Sequence, residues 1–181
     1  GFAIGGLAGG EGKEDFCRVL EIALPKLPFN KPRYVMGIGY PIDIVICTAF
    51  GGDMYDCVFP SRTARFGNAL VPEGTLRLKQ AQYKTDERKV QEDCDCICCL
   101  NYTRKDLNKI AGKETEASIV LTYHNLRYLM RLCEQMRKAI EKKTFKEFCI
   151  QFTKKLYSLE KDGIPKWVSD AFAKVDIDVL K

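Results

Sequence analysis

Four residues of this chain have the types and spacing of a metal shell. Cys94-x-Cys96-x-x-Cys99 puts three thiols in one tight knuckle, and His124, the sole histidine of the sequence, lies on a distant stretch. Zinc takes four soft or borderline donors at tetrahedral corners, and a thiolate trio closed by one imidazole meets that demand. A closed shell leaves no position for water, so the expected metal is structural and contributes on the order of 10 kcal/mol to ordering its surroundings. Adjacent Cys98 and Cys99 cannot easily both ligate, and Cys99 is the preferred third thiolate because it keeps a two-residue spacer after Cys96. Free thiols beside a core histidine are the competing reading.

A second set centres on Asp56, at the end of the apolar run Met54-Tyr55-Asp56-Cys57-Val58-Phe59. A carboxylate there can serve as nucleophile at an electrophilic carbon, as general base, or as a cap. Arg62 and Arg65 follow Pro60 and can clamp phosphate or base edges, or pair with surface acids. The stretch Gly5-Gly6-Leu7-Ala8-Gly9-Gly10-Glu11-Gly12 follows a strand and opens a helix, but its spacing is wrong for a dinucleotide fingerprint. Glycines that dense permit either a tight turn or the approach of backbone to a flat ligand.

The elements that must position these residues are legible in outline. Residues 13–24 carry Phe16, Val19, Leu20, Ala23 and Leu24 at helical spacing and stop before Pro25. Strands are expected at Ala3-Ile4, at 33–37 and at 54–59, and Pro41 opens a helix whose apolar run ends at Gly51-Gly52. The order is βαβαβ, which requires right-handed parallel crossovers, and the continuous apolar strands imply a sheet covered on both faces. The strand carboxyl ends, Gly5-Gly6, Met36-Gly37 and Asp56, should then lie side by side, as in a barrel or a doubly wound sheet. From residue 63 to 112 the chain turns polar, with a hairpin expected at Pro72-Glu73-Gly74-Thr75 and a short helix beginning at Thr103. A long helix over 115–142 carries His124, a capping box at Thr144-Phe145-Lys146-Glu147 starts the next, and Pro165 precedes a last helix with Trp167.

Composition narrows the setting. The 181 residues, 46% of them apolar, suffice for a real core, and no stretch approaches a membrane span. The net charge of +5 is concentrated late, at Arg137, Lys138, Lys142, Lys143, Lys146, Lys154 and Lys155, which fits either RNA or a solvated helix face. Nine cysteines are an odd number, and Cys17, Cys47, Cys57, Cys133 and Cys149 fall in apolar or helical stretches, so reduced buried thiols and a reducing cytosol are expected. The chain starts at Gly1 without methionine or a basic leader, which reads as the interior of a longer protein.

Taken together, the glycine stretch 5–11, Arg33-Tyr34-Val35-Met36-Gly37, the run from Asp53 through Asp56-Cys57-Val58-Phe59-Pro60-Ser61-Arg62 to Arg65-Phe66-Gly67, and the Cys94/Cys96/Cys99/His124 set closely resemble the tRNA-guanine transglycosylases, and among them the eukaryotic queuine-inserting catalytic subunits. The resemblance implies the carboxyl-terminal portion of a (β/α)8 TIM barrel with an inserted zinc-binding subdomain and late helices. By that likeness residues 1–62 are the last three βα units, 63–125 the zinc subdomain and 126–181 the closing helices. Asp56 would be the nucleophile that forms a covalent ribosyl-aspartate at the wobble position. Gly6, Leu7, Ala8, Gly9, Gly10, Glu11, Tyr34 and Met36 would form the base pocket, and Arg62 and Arg65 would read the adjacent uridine. Gly9 stands where bacterial members carry a larger residue, which suggests room for queuine, and Ser61 replaces the usual threonine.

The partners implied are the anticodon loops of aspartate, asparagine, histidine and tyrosine tRNAs, queuine or guanine, and a second subunit, either a copy or a non-catalytic accessory chain. The location implied is cytoplasmic, with association at the mitochondrial surface also allowed. The family's general acid/base aspartate matches no position in these residues, so the resemblance predicts no turnover by this polypeptide alone. A zinc-braced accessory subunit is the alternative, although such subunits typically lose the nucleophile and the arginines. An archaeal-type relative is disfavoured by the sequence around Asp56.

Overall fold

A computed structural model describes residues 1–7 and 9–181, so the base-pocket expectation for Ala8 lies outside the described residues. The chain divides into two compact units, Gly1–Val58 with Met136–Lys181, and Phe59–Gln135.

The first unit holds a three-stranded parallel sheet, β1 (Phe2–Ile4), β2 (Arg33–Val35) and β3 (Met54–Tyr55), in the order β1-β2-β3. Phe2 pairs with Arg33, Ile4 with Val35, and Val35 with Tyr55, so all three strands end level. The crossover after β1 is α1 (Lys13–Ala23), which buries Phe16, Cys17 and Leu20 on one face. The helix stops before Pro25, as expected, and a 3-10 turn, Leu24–Lys26, follows, in which proline is tolerated because it occupies the turn's first positions. The crossover after β2 is α2 (Pro41–Ala49), buried from Pro41 to Cys47 and apolar there except for Asp43.

Arg33 explains how the bottom of this unit closes. Its guanidinium is buried, yet it donates to no carboxylate: Nη1 meets the Gly51 carbonyl at 3.3 Å and Nη2 the Leu27 carbonyl at 3.2 Å. Both oxygens lie just past helical segments, where carbonyl dipoles point outward and favour a cation. Gly51 must be glycine, because its φ is +101° and a Cβ there would sit 2.8 Å from Arg33 Nη1.

Two expectations about the sheet are corrected. The third strand is short, because Pro60 pre-sets a helical φ and Phe59 already opens α3 (Phe59–Arg65). Only β2 is well covered; β1 and β3 are edge strands and leave Phe2 and Met54 exposed. The unit is completed by α7 (Phe145–Leu156) and α8 (Lys166–Ala173). No capping box forms at Thr144. The chain leaves the preceding helix through Lys143 at φ +58°, which turns the Thr144 hydroxyl back to the Ala139 carbonyl at 3.5 Å.

In the second unit the expected hairpin is present, β4 (Asn68–Val71) against β5 (Gly74–Arg77), antiparallel. A 3-10 turn (Ala81–Tyr83), α4 (Ile97–Asn101) and α5 (Arg104–Ile110) follow. The short helix expected from Thr103 is α5, and it opens on a capping box that was not expected: Asp106 N–H donates to the Thr103 hydroxyl at 3.1 Å and Thr103 N–H to the Asp106 carboxylate at 3.2 Å. The long helix α6 (Thr115–Glu141) begins in this unit, and the division of the chain falls within it. Leu78, Val90, Leu107 and Leu121 form a small core around the buried cysteines. Among the described residues no helix is long and apolar enough to cross a membrane.

A strand-end carboxylate and a candidate metal centre

The level ends of the parallel strands bring Asp56 beside the residues that follow β2. Tyr34 Oη donates to Asp56 Oδ1 at 2.5 Å, and the Gly37 amide donates to the same oxygen at 2.9 Å. Gly37 reaches this pose at φ +76°, which a side chain would resist. These two donors, the phenol first and the amide second, hold the Asp56 carboxyl below the usual carboxylate range. The reciprocal effect raises the Tyr34 phenol above its usual value. Asp56 is exposed, so the arrangement is an ionised, oriented carboxylate open to an incoming molecule.

The other expected pocket residues of the same unit follow the ends of β1 and β2. Met36 is 44% exposed, with its sulfur 3.5 Å from where a Cβ on Gly5 would stand, so a flat apolar face flanks the glycine stretch. Gly6 and Gly10 adopt φ +77° and +101°. Leu7 is buried and anchors the loop. Glu11 turns its carboxylate back to accept the Gly9 amide at 2.9 Å, and a Cβ on Gly9 would come within 2.9 Å of that carboxylate. Sequence reasoning placed Tyr34 as a pocket wall and missed its hold on Asp56, which follows from the parallel register: Tyr34 pairs with Met54, two residues before Asp56.

In the second unit, the side chains of Cys94, Cys96, Cys99 and His124 converge, their donor atoms all within 4.8 Å of one another and all four residues buried. Zinc about 2.3 Å from sulfur and about 2.0–2.1 Å from nitrogen at tetrahedral corners would separate nitrogen and sulfur by about 3.5 Å. His124 Nδ1 stands 3.7, 3.5 and 3.3 Å from the sulfurs of Cys94, Cys96 and Cys99. The set therefore fits a structural zinc. The imidazole is fixed by its other nitrogen, since Nε2 lies 2.8 Å from the Leu70 carbonyl; an oxygen there requires the proton on Nε2 and frees the Nδ1 lone pair for metal. Burial lowers the His124 pKa, which also favours the neutral ligand form.

Burial pushes the Cys96 and Cys99 thiols up, so three thiolates can coexist here only around a cation. Cys98 is buried outside the set, and burial raises its thiol to about 12, the state of an inert core thiol. That resolves the choice between the adjacent cysteines in favour of Cys99. Cys17, Cys47 and Cys149 are buried as expected, whereas Cys57 and Cys133 are only partly so.

Sequence reasoning missed the residues that support the shell. Asn125, wholly buried beside His124, donates to the carbonyls of Pro60 at 3.0 Å and Asn68 at 3.1 Å and accepts the Leu70 amide at 2.8 Å. It thus fixes the strand whose carbonyl orients the histidine. Arg127 and Arg131, on successive turns of α6, pair with Asp95 and Asp93, the acids flanking Cys94. Arg62 and Arg65 are exposed on α3. Arg65 lines an open groove of about 510 Å³ with Ser61, Ser118, Ile119, Thr122 and Tyr123.

The parallel α/β unit with its strand-end carboxylate, and the separate Cys3His knuckle, mark an α/β protein with a metal-braced appendage. The family model described as queuine tRNA-ribosyltransferase matches residues 1–158, and the chain belongs to that family. The queuine tRNA-ribosyltransferase catalytic subunit of Schizosaccharomyces pombe is 41% identical over 187 residues, an alignment covering 99% of this chain and 46% of the relative. That of Caenorhabditis elegans is 42% identical over 184 residues, covering 94% and 46%, and the queuine tRNA-ribosyltransferase of Thermus thermophilus 42% over 174, covering 96% and 44%. The chain spans about half the length of the curated relatives it matches.

The metal assignment is checked by substituting the two adjacent cysteines. Cys98→Ser is expected to purify with a full complement of zinc by atomic emission, and Cys99→Ser to lose it, with proteolysis then cutting first within residues 59–135. Equal zinc loss from both variants would overturn the assignment.

Proposed function

We propose that this chain is the carboxyl-terminal portion of the (β/α)8 barrel of a tRNA-guanine transglycosylase, and that Asp56 is its nucleophile. The observation that carries the reading is the ionised, exposed Asp56 carboxylate, oriented through Oδ1 by Tyr34 and Gly37. With Oδ1 occupied, Oδ2 is the oxygen we assign to the sugar. It attacks the anomeric carbon of the wobble guanosine; the C–N glycosidic bond breaks and guanine leaves with the bonding pair. An oxocarbenium-like transition state suits a carboxylate on this side, as in retaining glycosidases. The incoming base then attacks the same carbon and expels Asp56, and two inversions retain configuration.

The target base must leave its stack to reach a strand end, which favours flipping into a pocket read by edges and stacking. Gly6, Leu7 and Gly10 offer backbone groups, Met36 an apolar face and Glu11 a carboxylate. Gly9 gives Glu11 its place, because a side chain there would push the carboxylate aside, and the family resemblance links a small residue at this position to the bulkier base queuine. Arg62 and Arg65 are suited to the nucleotide beside the target. The zinc set braces the appendage and takes no part in the chemistry.

In this reading the substrates are the tRNAs for aspartate, asparagine, histidine and tyrosine, with a second subunit, identical or accessory, completing the enzyme in the cytoplasm. The accessory-chain alternative is disfavoured by the presence of Asp56, Arg62 and Arg65 together. The acid/base group that protonates the leaving guanine comes from outside these residues.

Three outcomes test the proposal. Full-length protein with Asp56→Ala should form no denaturant-stable adduct with anticodon RNA, whereas an adduct on that variant would disprove the mechanism. Tyr34→Phe removes the donor that contributes most to holding the Asp56 pKa down, so the acid limb of kcat/KM should move to higher pH; an unmoved limb refutes the role given to Tyr34. The 181-residue polypeptide alone should exchange no base, and full exchange by it would show that the acid/base group lies within it.

A further inference from the structure

The first residue of α1 breaks a local rule. Lys13 places a cation at a helix N-terminus, where the backbone dipole opposes it and where aspartate or glutamate is favoured. Its ammonium nevertheless makes two short bonds to Asp43, 2.7 Å to Oδ1 and 2.6 Å to Oδ2. Asp43 lies in the first turn of α2 and its side chain is only 6% exposed, against 39% for Lys13. The same ammonium stands over three rings, 5.2 Å from Phe16, 5.3 Å from Tyr40 and 5.1 Å from Trp167. Three ring faces and one carboxylate compensate the opposing dipole and the lost water.

The placement of the pair matters more than its strength. Residues 5–12 form the loop after β1 and end where Lys13 begins α1; residues 36–40 form the loop after β2 and end where Pro41 begins α2. Of the described residues in the first loop, only Leu7 is buried, and five of the rest are the glycines 5, 6, 9, 10 and 12. That loop therefore has one buried side chain near its start, and at its end it passes into α1, where the Gly12 carbonyl accepts the Phe16 amide and Lys13 makes the first side-chain tie to another element. The second loop carries Met36 and the Gly37 amide that holds Asp56.

We infer that Lys13 is a positioning residue for the base pocket: its bond to Asp43 ties the glycine loop after β1 to the loop that supports the nucleophile. The inference rests on the transglycosylase reading and adds to it the contact that sets the distance between the two walls of the pocket. Lys13 touches neither base nor sugar. It acts by limiting how far the Gly9–Glu11 segment drifts from Met36, and a pocket that reads a flat base loses affinity when a wall moves by an ångström.

The test uses the full-length protein, with Lys13→Met alone and combined with Asp43→Leu. The single variant leaves a buried carboxylate without its cation and should melt at lower temperature; the double variant replaces the pair with apolar side chains and should recover the wild-type melting temperature. For a positioning role, the double variant shows a roughly 10- to 100-fold lower kcat/KM for the free base, expressed in KM. It also shows faster amide hydrogen exchange over residues 5–12, with the acid limb set by Asp56 unmoved. Wild-type KM and wild-type loop protection in a double variant of recovered stability overturn the inference and leave the pair purely structural. Faster loop exchange in a double variant, when the unsubstituted protein forms no adduct and exchanges no base, upholds the loop anchor and sinks the transglycosylase reading instead.

Discussion

The pairing of β3 against β2 is the constraint on which the rest of the first unit depends. Val35 opposite Tyr55 brings the residue after β3, Asp56, level with the turn at Met36 and Gly37. A slip of one residue would send the carboxylate to the other face of the sheet, away from both donors. The register is in turn held by the crossovers, and those by the burial of α2 on nearly every side and by Arg33 beneath them. A single carboxyl oxygen is thus located by an entire βαβαβ unit.

The second unit solves a different physical problem. Its core is small, and four of its buried residues are cysteines. A histidine oriented by a backbone carbonyl, an asparagine that fixes that backbone, and two arginines that tie down the acidic flanks of the knuckle all serve the same four donor atoms. Such support around a ligand shell keeps metal geometry and tautomer constant. The groove at Arg65 belongs to this unit as well.

Much of this was legible from residue types and spacing. Prolines and glycines punctuate the chain at Pro41, Gly51-Gly52, Pro72 and Pro165, and the elements begin and end there because those residues fix or free φ locally. The metal set was legible because three thiols within six residues have few other uses. What stayed hidden depends on distance in the chain. The bond from Tyr34 to Asp56 spans 22 residues and that from Asn125 to Pro60 spans 65, and no local pattern encodes either. The Thr144 sequence suggested a cap that the turn at Lys143 prevents, a case of local propensity overridden by the path of the backbone. The preference for Cys99 over Cys98, read from the two-residue spacer after Cys96, agrees with the set the structure brings together.

The three-stranded sheet has a consequence of its own. Parallel sheets are ordinarily enclosed, whereas here β1 and β3 form the margins among the described residues. A sheet margin is a row of donors and acceptors onto which a further strand can zip, and Phe2 and Met54 add exposed apolar surface beside it. Both margins therefore offer a further strand a backbone ladder with an apolar side chain beside it.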